Sequence, residues 1–120
     1  MCKMIAVIDD APLVRESVKR LVSSMGFQAE QFSSPDDFFA SSSCRKARCI
    51  ISDVGIGGST SKRLHQRLTS RGLDIPVIFM TALPSQARDK KLIEDGAIRV
   101  LPKPFRSTVL ADCIRAALQL

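Results

Sequence analysis

Residues 4–10 read MIAVIDD, five apolar residues followed by two aspartates, and this pattern decides the fold. Three more short apolar runs along the chain end at or just before one chemically distinctive side chain. They are CIIS before Asp53, VIFM before Thr81 and IRVL before Lys103. Short, continuous apolar runs are typical of strands that are buried on both faces, as they are in a parallel sheet.

Segments with helical patterns separate these runs, so the chain alternates between strand and helix. The predicted strands are Lys3–Ile8, Phe27–Phe32, Arg48–Ser52, Ile75–Met80 and Ala97–Leu101. The predicted helices are Pro12–Met25, a second helix that starts at Ser34–Asp37, Thr60–Arg71, Pro84–Asp95 and Ser107–Leu118. This alternation predicts one α/β domain over residues 1–120, a doubly wound (βα)5 fold with helices on both faces of a parallel sheet. The commonest strand order is the flavodoxin-like 2-1-3-4-5, which has its crevice between strands one and three.

Two finer expectations concern the faces and edges of these elements. Strand two is more polar than the other strands, which predicts a position at the edge of the sheet. Six apolar residues of helix one are expected to share one face. They are Leu13, Val14, Val18, Leu21, Val22 and Met25.

The acidic residues at the strand ends predict a metal site. Because the carboxyl ends of parallel strands share one edge, Asp9 and Asp10 are expected beside Asp53. Two carboxylates about 4 Å apart repel each other by roughly 4 kcal/mol at an effective dielectric constant of about 20, so the cluster needs a compensating cation. Hard oxygen ligands suit Mg²⁺. One Mg²⁺ together with Lys103 would balance the three negative charges.

The remaining groups at this edge fit a phosphoryl group. A carboxylate such as Asp53 can accept a phosphoryl group when metal and cations neutralise the transferred charge. Thr81 and Lys103 would then donate hydrogen bonds to its oxygens. Ala82 is small and would leave the site open to an incoming donor. A proline follows the lysine, and the Lys103–Pro104 peptide bond is a candidate for the cis form.

Composition excludes several other kinds of site. The net charge is +6, but no aromatic residues are interleaved with the basic ones, which favours solvated helix faces over direct nucleic-acid binding; a nucleic-acid surface stays open as the alternative. Four scattered cysteines (Cys2, Cys44, Cys49 and Cys113) and the one histidine, His65, lack the spacing of a zinc site or a disulfide framework. The sequence has no signal peptide and no membrane-length apolar run, so we expect a cytoplasmic protein with no membrane partner.

Four segments together carry a family resemblance. IDDAPLVR, CIISDVGIGG, VIFMTA and VLPKPF, in this order, resemble the receiver domain of two-component response regulators. The resemblance extends over essentially the whole chain and includes the twenty-two positions from Thr81 to Lys103. It implies a phosphorylation-controlled signalling domain and not an enzyme.

The resemblance also implies roles for individual residues. Asp53 resembles the phosphoacceptor, which receives its phosphoryl group from a phosphohistidine on a sensor histidine kinase or a phosphotransfer protein. Asp10 resembles the direct Mg²⁺ ligand, Asp9 the one that acts largely through water, and Gly55 the residue whose backbone carbonyl binds the metal.

Thr81 and Lys103 resemble the pair that senses the phosphoryl group and shifts the surface of helix four, strand five and helix five. The resemblance implies that this surface controls an output, here expected to be transcription, with a homodimer through the same surface as an option. Val100 stands where many family members carry an aromatic switch residue. Ile56-Gly57 and Ser61 stand where the usual loop has a methionine-proline step and a glycine.

Other functions stay open at this point. A degenerate receiver that binds a partner without phosphorylation is the main alternative. A metal-dependent phosphohydrolase would need a further acid or base near Asp53, and a flavin carrier would need a phosphate-binding loop where Asp9 and Asp10 stand. The chain is either a free-standing receiver or part of a longer regulator with an output domain.

Overall fold

The computed structural model describes residues 4–119, in which strands and helices alternate as predicted. The strands are β1 (Met4–Ile8), β2 (Gln28–Phe32), β3 (Ala47–Asp53), β4 (Val77–Thr81) and β5 (Arg99–Pro102). The α-helices are α1 (Pro12–Ser24), α2 (Pro35–Ala40), α3 (Ser59–Ser70), α4 (Gln86–Glu94) and α5 (Ser107–Leu118). Short 3-10 helices at Ser42–Arg45 and Ile56–Gly58 flank β3. Lys3, the predicted start of the first strand, lies outside the described residues.

The five strands form one parallel sheet in the order β2-β1-β3-β4-β5, which confirms the predicted topology. The polar strand β2 occupies an edge of this sheet, again as predicted. The register aligns Ile8 with Ser52 and Thr81 with Pro102. The carboxyl ends of β1, β3, β4 and β5 therefore end at the same edge of the sheet.

Alternate residues of the strands pack on opposite faces, and this produces two core layers. Ala6 and Ile8 of β1 pack with buried residues of α2, α3 and α4 on one face. Ile5 and Val7 pack with buried residues of α1 and α5 on the other. The molecule is thus the three-layer α/β sandwich that the doubly wound topology requires.

Helix α2 begins where the sequence predicts it. The Ser34 hydroxyl accepts a hydrogen bond from the Asp37 backbone N–H at 3.2 Å, and Pro35 occupies the first turn. This side-chain cap satisfies one of the N–H groups that the first helical turn leaves without a partner.

The prediction that Leu13 shares the apolar face of helix one is wrong. Leu13 is 85% exposed, whereas Val18 and Val22 are buried. An α-helix turns by about 100° per residue, so Leu13 points roughly 140° away from Val18. The apolar residues of α1 therefore form a core-facing stripe that excludes its first leucine.

The described cysteines and the histidine differ in burial. Cys44, Cys49 and Cys113 are free and buried, and His65 is exposed on α3. Cys2 lies outside the described residues. Burial, together with the nearby Cys113, raises the pKa of the Cys49 thiol to about 12, so Cys49 stays protonated.

No helix within residues 4–119 combines the length and the apolar character needed to span a membrane.

Replacing Leu110 with alanine is expected to lower the free energy of unfolding by about 2–5 kcal/mol, because removal of a buried side chain leaves a cavity. Leu110 is 0% exposed, so nothing but core packing surrounds it. The matched control is Leu13→Ala, for which the expected change is below about 0.5 kcal/mol. Urea unfolding followed by circular dichroism measures both variants. Equal losses would contradict the placement of the two leucines.

Candidate functional site

Three carboxylates meet at the carboxyl edge of the sheet. Asp9 and Asp10 directly follow β1, and Asp53 is the last residue of the adjacent strand β3. One side-chain oxygen from each of the three lies within 4.8 Å of the others. The predicted convergence of these acids is confirmed, and its cause is the parallel pairing of β1 with β3.

The three carboxylates differ in their surroundings. Asp9 is 2% exposed, and its Oδ1 accepts a hydrogen bond from the Ala11 N–H at 2.9 Å. Asp53 is half-buried, and its Oδ2 accepts a hydrogen bond from the Gly55 N–H at 3.0 Å. Asp10 is exposed, and within residues 4–119 its carboxylate has no hydrogen-bond or ion-pair partner. Asp10 is consequently the carboxylate most accessible to a ligand from solvent.

Lys103 joins two of the acids. Its Nζ donates to Asp53 Oδ1 at 3.0 Å and to Asp9 Oδ2 at 3.1 Å. Burial alone would lower the pKa of this lysine, but the hydrogen bonds and charges of Asp53 and Asp9 outweigh burial, so its pKa is raised and its charge is held. The Lys103–Pro104 peptide bond, a candidate for the cis form, is cis.

The charge balance at this edge favours a divalent cation. Three negative charges and the single positive charge of Lys103 leave a net charge of −2. Carboxylate oxygens are hard ligands of the kind that Mg²⁺ prefers, and the two positive charges of a Mg²⁺ ion would make the site neutral. The donor set thus fits the metal, and a cleft of about 300 Å³ beside Asp10 and Asp53 leaves room for it.

Gly55 holds the loop after β3 close to the start of α3. Its φ is +83°, and a Cβ at this position would lie 2.7 Å from the Thr60 backbone nitrogen. Both the positive φ and the close approach require glycine. The Gly55 carbonyl accepts a hydrogen bond from the Gly58 N–H at 3.1 Å, which braces the loop.

Thr81 lies at the same edge, but its hydroxyl is occupied elsewhere. The side chain is buried at the end of β4. Its Oγ1 donates to the Leu83 carbonyl at 3.0 Å and accepts from the Leu83 N–H at 3.1 Å and from Arg88 Nη2 at 3.1 Å. Within the described residues, the Thr81 hydroxyl makes no hydrogen bond to Asp53 or to Lys103.

Arg88 also contacts this site, which its position in the sequence did not predict. It is a charged residue on α4, the helix with the weakest apolar pattern, and such a residue is ordinarily solvated. Here its side chain is only 22% exposed, and its guanidinium contacts the hydroxyl of Thr81. No local sequence pattern indicates this contact, which is visible only in the tertiary structure.

Ala82 and Val100 are two further positions that were predicted to matter for the site. Ala82 is exposed directly after Thr81. Val100 of β5 is half-buried and packs against the core layer under α2, α3 and α4. Three exposed apolar side chains also stand on the loops or first turns at this edge: Leu13, Ile56 and Leu83.

Known proteins share this sequence pattern and this fold. Residues 5–115 match the family described as "Response regulator receiver domain". The chain is 34% identical over 115 residues to the transcriptional regulatory protein TdiR of Thauera aromatica. The aligned region covers 95% of this chain and 50% of TdiR. It is 33% identical over 117 residues to the response regulator protein TodT of Pseudomonas putida, which covers 98% of this chain and 52% of TodT. The chain therefore spans about half the length of these relatives.

A solved structure agrees with this match. The crystal structure of a response regulator receiver protein from Burkholderia phymatum is similar with a TM-score of 0.82 and 29% identity, over 98% of this chain and 96% of that one. The family match, the 2-1-3-4-5 sheet and the acid cluster at its edge lead to the same conclusion. This chain belongs to the response regulator receiver domains, which are phosphoacceptor regulatory domains and not enzymes of the classical kind.

Proposed function

We propose that this domain is a signalling switch in which Asp53 accepts a phosphoryl group from a phosphohistidine. The donor is a sensor histidine kinase or a phosphotransfer protein. The observation that carries the proposal is the position of Asp53, whose carboxylate belongs to the acid cluster and also pairs with Lys103 at 3.0 Å.

The surroundings of the three acids favour Asp53 as the acceptor. Asp9 is buried, and its two oxygens are engaged by the Ala11 N–H and by Lys103. Asp10 is exposed and has no cation beside it in the described residues. Asp53 combines partial exposure with a cation, so an incoming phosphoryl group can reach it and its charge is already partly neutralised.

The transfer proceeds by displacement at phosphorus. An Asp53 carboxylate oxygen forms the new P–O bond while the P–N bond of the phosphohistidine breaks, and the bonding electrons return to the imidazole nitrogen. Lys103 stays next to the phosphoryl oxygens and stabilises their charge through its ammonium. Ala82 carries only a methyl group, which would leave room for the donor to approach.

Asp10 and Asp53 would hold Mg²⁺ directly, together with the backbone carbonyl of Gly55, and Asp9 would act largely through water. When bound, the metal supplies neutralisation of the charge on the phosphoryl oxygens. This assignment follows the exposure of the acids, because the open carboxylate of Asp10 can exchange water for metal more easily than the buried Asp9.

Exposed apolar groups around the site support a protein as the donor. Leu13, Ile56 and Leu83 are 85%, 95% and 78% exposed, and they follow β1, β3 and β4 respectively. A small phosphodonor would not need such a surface, whereas a docked protein would remove these side chains from water.

Phosphorylation would be sensed by Thr81 and Lys103 and passed to the surface formed by α4, β5 and α5. Added charge that rearranges hydrogen bonds at a bistable element is a general switching mechanism. The surface would control an output domain or a partner, with homodimerisation as one mode. Control of transcription is the proposed output, since TdiR is named a transcriptional regulatory protein.

A degenerate receiver that works without phosphorylation is the second candidate. It is favoured by the Thr81 hydroxyl, which is turned to Leu83 and Arg88, and by the absence of an aromatic ring at Val100. Phosphorylation and metal binding distinguish the two candidates.

Incubation with Mg²⁺ and a small phosphodonor such as acetyl phosphate is expected to add one phosphoryl group to the wild-type protein. Asp53→Asn should not be modified, because an amide oxygen is a far poorer nucleophile than a carboxylate. Asp74→Asn, which changes an exposed acid away from the cluster, is the matched control and should behave as wild type. Intact-mass spectrometry measures all three. A wild-type protein that stays unmodified would favour the degenerate receiver.

Asp10→Asn is expected to stabilise the metal-free protein by roughly 1 kcal/mol, because it removes one of three mutually repelling charges at a partly solvated site. Mg²⁺ should raise the melting temperature of the wild type and of Asp74→Asn but have little effect on Asp10→Asn, which lacks a ligand. Thermal unfolding with and without millimolar Mg²⁺ measures this. An undiminished Mg²⁺ response in Asp10→Asn would remove Asp10 from the metal site.

A further inference from the structure

Arg88 connects the start of α4 with the candidate site. Its Nη2 donates to Thr81 Oγ1 at 3.1 Å and to the Leu83 carbonyl at 2.8 Å. Its Nε and Nη2 also donate to Asp89 Oδ1 at 3.1 Å and 3.0 Å. One guanidinium thus bridges the end of β4, the following loop and α4.

Two neighbours hold this guanidinium in place. Asp89 Oδ2 accepts a hydrogen bond from the Ser85 N–H at 3.2 Å, so the acid that pairs with Arg88 is itself tied to the first turn of α4. On the other side, a Cβ at Gly58 would lie 3.3 Å from Arg88 Cδ, so the aliphatic part of Arg88 packs directly over the loop before α3. The arginine is therefore clamped and not a freely solvated side chain.

The contacts of Thr81 leave its hydroxyl with no spare capacity. A hydroxyl has one proton to donate and two lone pairs that accept. The proton of Thr81 is directed to the Leu83 carbonyl, and the Leu83 N–H and Arg88 fill the acceptor positions. To donate to a phosphoryl group on Asp53, the Thr81 hydroxyl must turn its one proton away from the Leu83 carbonyl.

We propose that Arg88 is a positioning residue that holds the Thr81 hydroxyl away from Asp53 and thereby opposes the phosphorylated form. This inference rests on the proposed function and adds a regulatory residue to the same site. A hydrogen bond from a charged donor is stronger than one between neutral groups. The arginine therefore stabilises the unphosphorylated form more than the phosphorylated form. When a contact is present in only one of two forms, its removal shifts the equilibrium between them by the free energy of that contact.

The test uses Arg88→Met, which keeps the aliphatic packing over Gly58 and removes the guanidinium. Beryllofluoride with Mg²⁺ serves as the probe of the phosphorylated form, and isothermal titration calorimetry measures its affinity. Arg88→Met is expected to bind about tenfold more tightly than wild type, the effect of one hydrogen bond from a charged donor. Arg88→Lys should lie between the two. Lys90→Met, an exposed substitution on the same helix, is the matched control and should leave the affinity unchanged.

A double-mutant cycle separates a positioning role from a structural one. If Arg88 acts through Thr81, then Arg88→Met should not tighten binding in a Thr81→Ala background. An equal gain in both backgrounds, or weaker binding by Arg88→Met, would overturn the proposal.

A second measurement on the protein without beryllofluoride keeps the inference distinct from the proposed function. Three-bond NMR couplings report the χ1 rotamer of Thr81, which should be single in wild type and averaged in Arg88→Met. Unchanged couplings would overturn the role of Arg88. A wild type that binds no beryllofluoride would overturn the proposed function, while the couplings would still decide whether Arg88 positions Thr81.

Discussion

The bridging contact of Lys103 with Asp9 and Asp53 is the interaction on which the site depends. Parallel pairing of β1 with β3 places two acidic strand ends side by side, and without a cation between them the edge would be destabilised by repulsion. Lys103 comes from the far end of the sequence and is connected to β4 by a backbone hydrogen bond to the Thr81 carbonyl at 2.7 Å. One lysine against three acids offsets part of the repulsion and leaves a net negative charge, which is typical of a receiver Mg²⁺ site.

The three acids differ in burial and in their contacts. Asp9 is buried and fully hydrogen-bonded, which makes it a support for Lys103 and for the loop into α1. Asp10, one residue later, projects into solvent and keeps its ligand capacity. Asp53 is intermediate: it is half-buried and pairs with Lys103, which is consistent with the proposed phosphoacceptor role. The three aspartates therefore differ in their access to solvent and to cations because they differ in burial.

Helix α4 buries little of its surface in the core. Leu92 is the one buried residue of α4, and the contacts of Arg88 with Thr81, Leu83 and Asp89 tie its first turn to the site. A segment with few buried apolar contacts costs little to rearrange. If Thr81 turns towards a phosphorylated Asp53, the contacts that position the start of α4 change with it.

The alternation of elements, the strand order and the convergence of Asp9, Asp10, Asp53 and Lys103 at one edge could all be predicted from the amino-acid sequence. This was possible because apolar periodicity and the geometry of parallel sheets act through the backbone and need no side-chain detail. Only the tertiary structure decided that Leu13 lies in solvent, that Asp9 and not Asp10 is buried, and that Arg88 binds Thr81. These outcomes depend on the rotational phase of each helix and on contacts between separate loops, which local sequence patterns do not encode.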